Sequence, residues 1–439
     1  MSPEATTVAE VLASPWKIDG LTIKNRFVLS PMAVLQPTKD GHPSPQTIAF
    51  LTTRARGGAG LLIIGGGVAT ERGNQEAPFQ PLMRFDRDDF IPGLKRMVDA
   101  VHAHDVPIFA QIFPSFGAMG VPGEGRPTLA ASPKPVHMGA PRLPHGFYIP
   151  GGRTNPTPQE ITKGEILEVQ EQTIAAVRRA KTAGFDGVEL GAHMRYLYSS
   201  FLSPRTNWRT DEYGGSAENR ARILTDTVRA IRAEVGPDYP VGLRMSVNDH
   251  LPDGQDTAGF AEVAAIIAEA GLGYIALTDG NYESMDNNVP STSGAMLEHA
   301  EPQVFRAALP NTPLLLSSTY EPQQSADAIA KGHADGIMLA RQLLADPEFP
   351  NKVLQGRLSE IVWCDHDNSC LRRLILNVPV RCHKNPAMGR EAVLAGAKEA
   401  VSVKLKRPAQ AALIAAAGSP TLMGIADKLA ASKAKPSKN

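Results

Sequence analysis

The sequence predicts an α/β protein: a (β/α)8 TIM barrel with a short C-terminal cysteine-containing extension and a helical tail. Three observations point there. Eight short runs are almost continuously apolar, helical patterns lie between most of them, and each run ends in small or polar residues. Strands buried on both faces read as unbroken apolar runs, because a parallel sheet is covered by helices on either side. Eight such units suggest closure into a barrel, with an open doubly wound sheet as the alternative.

In chain order the runs are RFVLSPM from Arg26, AGLLIIGG from Ala59, PIFAQIF from Pro107, GVELG from Gly187, PVGLRMS from Pro240, YIALTDG from Tyr274, TPLLLSS from Thr312 and ADGIMLA from Ala334. Between the third and fourth, residues from about Gly117 to Thr157 are rich in Pro and Gly, as in GVPGEGRP and YIPGGRTNPTP. A connection this long in a compact domain is functional or disordered, and here it reads as an excursion over the barrel mouth. From Cys364 the character changes, and from Glu391 the chain becomes rich in Ala and Lys, with GSP at Gly418 breaking two helical patterns and KAKPSKN reading as a frayed end. The chain therefore divides into a barrel over 1–358, a cysteine-containing segment over 359–390 and a helical or flexible tail over 391–439.

Bulk properties narrow the class. The 439 residues carry 45 Lys and Arg against 45 Asp and Glu, so no general field draws the protein to nucleic acid or to an anionic membrane. A small-molecule substrate is the expected partner. The opening MSPEATTVAEVLASPWKI lacks a basic region followed by an apolar run, and nowhere do eighteen apolar residues occur together, which reads as a soluble, cytoplasmic protein. The only cysteines are Cys364, Cys370 and Cys382. Their clustering argues for a local site rather than a disulfide framework.

Active sites of (β/α)8 barrels sit where the C-terminal ends of the strands converge. Those ends deliver Ser30, Pro31, Met32 and Ala33 from the first strand, Gly65 and Gly66 from the second, Gln111 from the third, Arg244 from the fifth, Ser318 and Thr319 from the seventh, and Ala340 and Arg341 from the eighth. Small residues leave room for something flat. One amide and one fixed cation face that room, and the end of the eighth strand commonly holds a phosphate. The inventory suits a flat, phosphorylated cofactor. Taken alone, each arginine reads as a partner in a surface or inter-loop salt bridge.

The stretch FLSPRTNWRTDEYGGSAENRAR, Phe201 to Arg222, resembles the signature of the Old Yellow Enzyme family of NADH:flavin oxidoreductases. KNRFVLSPM at Lys24, RARGGAGLLI at Arg54, PVGLRMS and ARQLLADP at Ala340 occur in that family's order, so the resemblance covers roughly Ala13 to Arg390. CDHDNSC and RCHKNPAMGRE resemble the iron-sulfur subgroup typified by trimethylamine dehydrogenase and 2,4-dienoyl-CoA reductase. The resemblance implies FMN as cofactor. Pro31, Met32, Ala33 and Gly66 would line its isoalloxazine and Gln111 would bind its pyrimidine edge. Arg244 would lie beside N1 and the C2 carbonyl, where reduced flavin carries negative charge. Ser318, Thr319, Ala340 and Arg341 would take the ribityl phosphate, although the family more often has two glycines at the first two positions.

The substrate end departs from the family pattern. Where relatives place a His, then a His or Asn three residues on, then a Tyr two further, this chain has Gly191, Met194 and Tyr196. The missing pair would hydrogen-bond a substrate carbonyl, so ordinary enone reduction does not follow from the resemblance alone. His193 is either a relocated site residue or a structural one, and Tyr196 either donates a proton or packs. Tyr282, Asp249 and His250 are weaker candidates.

Cys364, Cys370 and Cys382 match three ligands of the subgroup's cluster, and Asp367 stands where the fourth thiolate would be. Three readings stay open: a 4Fe-4S cluster completed by Asp367 or solvent, a zinc site using Asp367 or His366, and unliganded buried thiols. After Arg390 there is no G-x-G-x-x-G motif, so no dinucleotide-binding domain is expected. Electrons would reach FMN from NAD(P)H at the barrel mouth, or through the cluster from an electron-transfer partner protein; a homo-oligomer is left open. The expected activity is hydride transfer between reduced flavin and an activated C=C of a small organic substrate. The alternatives are an amine or C–H dehydrogenase or demethylase running in the oxidative direction, and a non-catalytic electron-relay subunit.

Overall fold

A computed structural model of the chain describes residues 7–398 and 401–433. Eight strands, β1 (Phe27–Leu29), β2 (Leu61–Val68), β3 (Ile108–Phe113), β4 (Gly187–Ala192), β5 (Val241–Ser246), β6 (Tyr274–Thr278), β7 (Leu314–Ser317) and β8 (Gly336–Leu339), succeed one another around a ring. Neighbours pair in parallel throughout, and β1 pairs with both β8 and β2, which closes the barrel and removes the open-sheet alternative. Each of the eight apolar runs is one of these strands.

Helices α1 (Pro45–Arg56), α2 (Ile91–His102), α3 (Lys163–Thr182), α4 (Ala217–Val235), α5 (Thr257–Ala268), α6 (Glu301–Ala308), α7 (Pro322–Ala330) and α8 (Phe349–Leu354) come after the strands in turn. Local chemistry starts several of them. Ser44 caps α1 with Pro45 at its first position, and Thr162 and Glu165 form a reciprocal capping box on α3. The barrel interior is filled by Val28, Leu61, Ile63, Phe109, Tyr274, Ala276, Leu315 and Met338, and an N-terminal hairpin (Trp16–Ile18 with Leu21–Ile23) adds Trp16, Ile18 and Ile23 to the same cluster. Gly242 is required here: a Cβ at that position would stand 2.1 Å from the Tyr274 ring.

The Gly117–Thr157 excursion is ordered. Leu129–Ala130 pairs with Gln159–Glu160, His137–Met138 pairs with Arg153–Thr154, and Val136, Met138 and Phe147 are buried over the mouth. The C-terminal extension returns to the same mouth through α9 (Ser369–Ile375), which packs Leu371, Leu374 and Ile375 against it. α10 (Glu391–Leu394) then docks on α1. α11 (Val401–Ala417) and α12 (Pro420–Lys433) come next, with the break between them at Gly418 and Ser419. All of KAKPSKN but Lys433 lies outside the described residues. No described helix is long and apolar enough to cross a membrane.

A buried ion pair joins extension to barrel. Arg54 of α1 is 0 % exposed, donates from Nη1 to Glu391 Oε1 (2.7 Å) and to Phe50 O (3.0 Å), and lies over the Phe50 ring. Removing one partner of such a pair leaves a buried charge uncompensated, at about 3–5 kcal/mol. Glu391→Ala should lose roughly that much stability in urea unfolding. A loss under about 1 kcal/mol would show that the clasp is not what seats the extension.

Candidate active site

One cavity of about 260 Å³ opens at the C-terminal ends of the strands. Its walls include every residue the sequence assigned to FMN, namely Pro31, Met32, Ala33, Gly66, Gln111, Arg244, Ser318, Thr319, Ala340 and Arg341, together with His193, Tyr196, Cys364 and Cys370. Asp367 and Cys382 lie outside the lining.

The glycines of β2 make the flat end. A Cβ at Gly65 would stand 2.3 Å from Met32 N, and Gly66 takes φ +79° where the β2–β3 register shifts, so the β1 loop lies directly against β2. Gln111 lines the cavity and donates from Nε2 to Glu189 Oε1 (2.8 Å), which leaves its carbonyl oxygen free to accept. Glu189, fully buried inside the barrel, also accepts from Tyr274 Oη (3.1 Å), and burial pushes its carboxyl up while the Arg244 charge opposes the shift. Arg244 donates to Ser30 Oγ (3.1 Å) and keeps its Nε buried without a partner. An unpartnered guanidinium N–H, an open amide carbonyl and a glycine-lined slot fit the polar edge and ring of a flavin.

Across the ring, Ser318 adopts φ +59°, a conformation that glycine takes more easily than serine. Arg341 donates from Nη1 to Asn368 Oδ1 (2.9 Å) and from Nη2 to Pro290 O, so it joins the far end of the cavity to the cysteine segment.

The substrate end is aromatic. Tyr196 stacks on Phe113 at 5.4 Å, meets Phe116 edge-on at 5.0 Å and lies 3.4 Å, hydroxyl to hydroxyl, from Tyr282. Burial pushes the Tyr196 hydroxyl well above the ordinary phenol range, so it stays protonated. His193 Cε1 stands 3.8 Å from where a Cβ on Gly191 would be, so the imidazole borders the space a side chain at 191 would occupy. Its Nδ1 is buried without a partner, and burial followed by the Arg244 charge holds the ring well below its usual pKa and therefore neutral. Met194 and Arg195 both take positive φ, which turns this loop so that His193 and Tyr196 both face the cavity. Arg195 is anchored by a buried ion pair with Glu283, a residue sequence reasoning missed; Glu283 also pairs with Arg205 and ties the β4 and β6 loops together.

The weaker candidates separate. Tyr282 joins the site, lining the same cavity. Asp249 accepts from Ser203, Gln255 and Asn281 and organises its own loop. His250 turns to Asp279 (2.6 Å) and Glu301 (3.4 Å); burial works against its charge, but those carboxylates outweigh it and lift the imidazolium to about 9.

The three cysteines are free. Cys364 and Cys382 lie within electrostatic reach of one another, and Cys370 of both. Burial pushes all three thiols up, Cys370 to about 12. Backbone N–H groups of His366 and of Lys384 and Asn385 nonetheless point at the sulfurs of Cys364 and Cys382, a donor set that favours thiolates. Asp367 Oδ1 accepts from Ser369 N (3.0 Å) and approaches His383 Nδ1 (3.5 Å), and its 40 % exposed carboxylate lies within electrostatic reach of Cys370 and Cys382. His366, by contrast, is buried in the cavity wall with an unpartnered Nε2.

Residues 11–360 match the model of the NADH:flavin oxidoreductase / NADH oxidase family. The chain belongs to that family. Its barrel is of Old Yellow Enzyme type, and a flavin goes with membership. It is 36% identical over 390 residues to a metal reductase of Desulforamulus reducens, covering 88% of this chain and 55% of that protein. It is 34% identical over 420 residues to a cinnamate reductase of Clostridium sporogenes, covering 90% of this chain and 60% of that one. A solved 2-naphthoyl-CoA reductase superposes with a TM-score of 0.79 at 28% identity, over 89% of this chain and 59% of that one. The chain thus spans a little over half the length of these relatives.

Gly65→Ala should push the β1 loop off β2 and abolish most flavin retention, read as visible flavin absorbance per chain. Gly164→Ala, where a Cβ meets nothing within 4 Å, should keep it. Full flavin content in Gly65→Ala would remove this slot from the binding site.

Proposed function

We propose that the protein is an FMN-dependent oxidoreductase that reduces an activated C=C bond in a planar aromatic or enoyl compound, with NAD(P)H as electron source, and that it works in the cytoplasm. The observation that carries this reading is the neutral His193 with its unpartnered Nδ1, next to the always-protonated Tyr196. The pair restores what Gly191 and Met194 lack: His193 hydrogen-bonds the substrate's activating carbonyl, and Tyr196 delivers the proton to carbon, resupplied through Tyr282. FMN, when bound, supplies the hydride at N5. Gln111 and Arg244 hold its pyrimidine edge, and Ser318, Thr319, Ala340 and Arg341 its phosphate. A second cavity of about 550 Å³, lined by Met119, Met138, Phe147 and Ile149 and sharing Phe79 and Tyr282 with the first, gives a bulky apolar substrate its way in.

Cys364, Cys370 and Cys382 supply three thiolates for a 4Fe-4S cluster, with Asp367, whose carboxylate lies within electrostatic reach of Cys370 and Cys382, or solvent at the remaining place. Such a cluster, reached through Arg341 and Asn368, would serve an electron-transfer partner protein. The aromatic walls favour one second reading, an alkylamine oxidised in place of an alkene reduced, because π faces attract ammonium groups.

Anaerobic NADH or NADPH should bleach the flavin and cinnamate-like enoates should restore it; bleaching by alkylamines alone would select the second reading. Tyr196→Phe should lower kcat about 10²-fold or more with flavin retained. The kcat/KM profile should show no ionisation near pH 6.5, because His193 is already neutral there. A tyrosine variant with unchanged kcat would end the proton-donor assignment. Cys370→Ser should lose iron and acid-labile sulfide; full retention of both would sink the ligand set.

A further inference from the structure

Behind the cavity wall, on the outer side of β6, four metal-ligating side chains converge that the reaction does not use. His250 comes from the loop after β5, Asp279 stands directly after β6, and His299 and Glu301 lie at the start of α6. One donor atom from each lies within 4.8 Å of all the others. Around a tetrahedral zinc, with bonds of about 2.0–2.1 Å, donors stand about 3.4 Å apart, so small side-chain rotations bring these four to one centre.

Two features distinguish the cluster from a surface patch of charge. Glu301 is 1 % exposed and Asp279 3 % exposed, yet both oxygens of Glu301 and Oδ2 of Asp279 have no hydrogen-bond partner among the described residues. The nearest cation, His250 Nε2, is committed to Asp279 Oδ1 at 2.6 Å and stands 3.4 Å from Glu301. Burying unpaired carboxylate oxygens is costly unless a cation meets them. The two carboxylates carry two negative charges, which one divalent ion balances when both histidines ligate as neutral imidazoles, His250 releasing its proton to solvent as the ion binds. The surroundings also suit ligation. Asp279 Oδ1 accepts from Gly280 N (2.8 Å), and the His250 backbone is held by Asn248 (2.8 Å), as outer contacts hold ligands in metal sites.

We propose that His250, Asp279, His299 and Glu301 bind a divalent transition-metal ion, zinc by preference for a two-imidazole, two-carboxylate set. The ion enters past the exposed His299. It clamps the β5 and β6 loops to α6, and because Asn288 of the active-site wall bonds Asp279 O (2.8 Å) and Thr278 Oγ1 (3.1 Å), it also stiffens that wall. The site is separate from the cysteines and independent of the proposed reaction.

The test is zinc titration of the EDTA-treated 439-residue chain, by calorimetry and elemental analysis. A Cys364→Ser/Cys370→Ser/Cys382→Ser chain serves as the background in which thiols cannot compete. That chain should bind one Zn2+ and melt at higher temperature with zinc present. His299→Ala, an exposed and structurally mild change, should weaken binding at least about tenfold, and His250→Ala with Glu301→Gln by about 100-fold or more, since outer contacts alone are worth 10–100-fold. Absence of binding at millimolar zinc, or an affinity unchanged by His299→Ala and by the double variant, would overturn the assignment.

Discussion

A single buried carboxylate underlies the architecture of the mouth. Glu189 sits inside the barrel, level with Gln111, Gly242 and Tyr274 in the strand register, where an ionised group is expensive. It is tolerable only because Gln111 and Tyr274 donate to it and the Arg244 charge faces it. Those demands fix the orientation of Gln111, while Ser30 Oγ and Pro31 O hold Arg244. The floor of the candidate site is therefore held before anything binds, and Gly242 leaves room for the Tyr274 ring to cross the barrel and reach this carboxylate.

Much of this was legible in the sequence because the barrel imposes a simple grammar. Strands covered on both faces must be apolar, and the residues just after each strand must face the mouth, so reading the run ends recovered the cavity lining from Ser30 to Arg341. The features that escaped were set by distance. Glu283 lies 88 residues from Arg195 in the chain, and no periodicity announces that they pair across two loops. Glu189 reads as one polar interruption in an apolar run, and only barrel closure shows that it accepts from Gln111 and Tyr274 and lies within reach of the Arg244 charge.

The departures from the family pattern were visible as residue types but not as geometry. Gly191 and Met194 look like losses in one dimension. In three dimensions positive φ at Met194 and Arg195 swings the loop so that His193 and Tyr196 face the same space. Asp367, singled out by its place in the motif, lies within electrostatic reach of Cys370 and Cys382, while the contacts of its Oδ1 with Ser369 and His383 could not be read from the sequence.

The Arg54–Glu391 clasp also orders events during biosynthesis. Arg54 leaves the ribosome 337 residues ahead of the carboxylate that neutralises it, so α1 cannot adopt its final dry environment while the rest of the barrel is being made. Until then the guanidinium must stay hydrated and the neighbouring barrel seam loose. The cysteine segment, which lies between the barrel and Glu391, is consequently threaded into place in the same step that seals the seam.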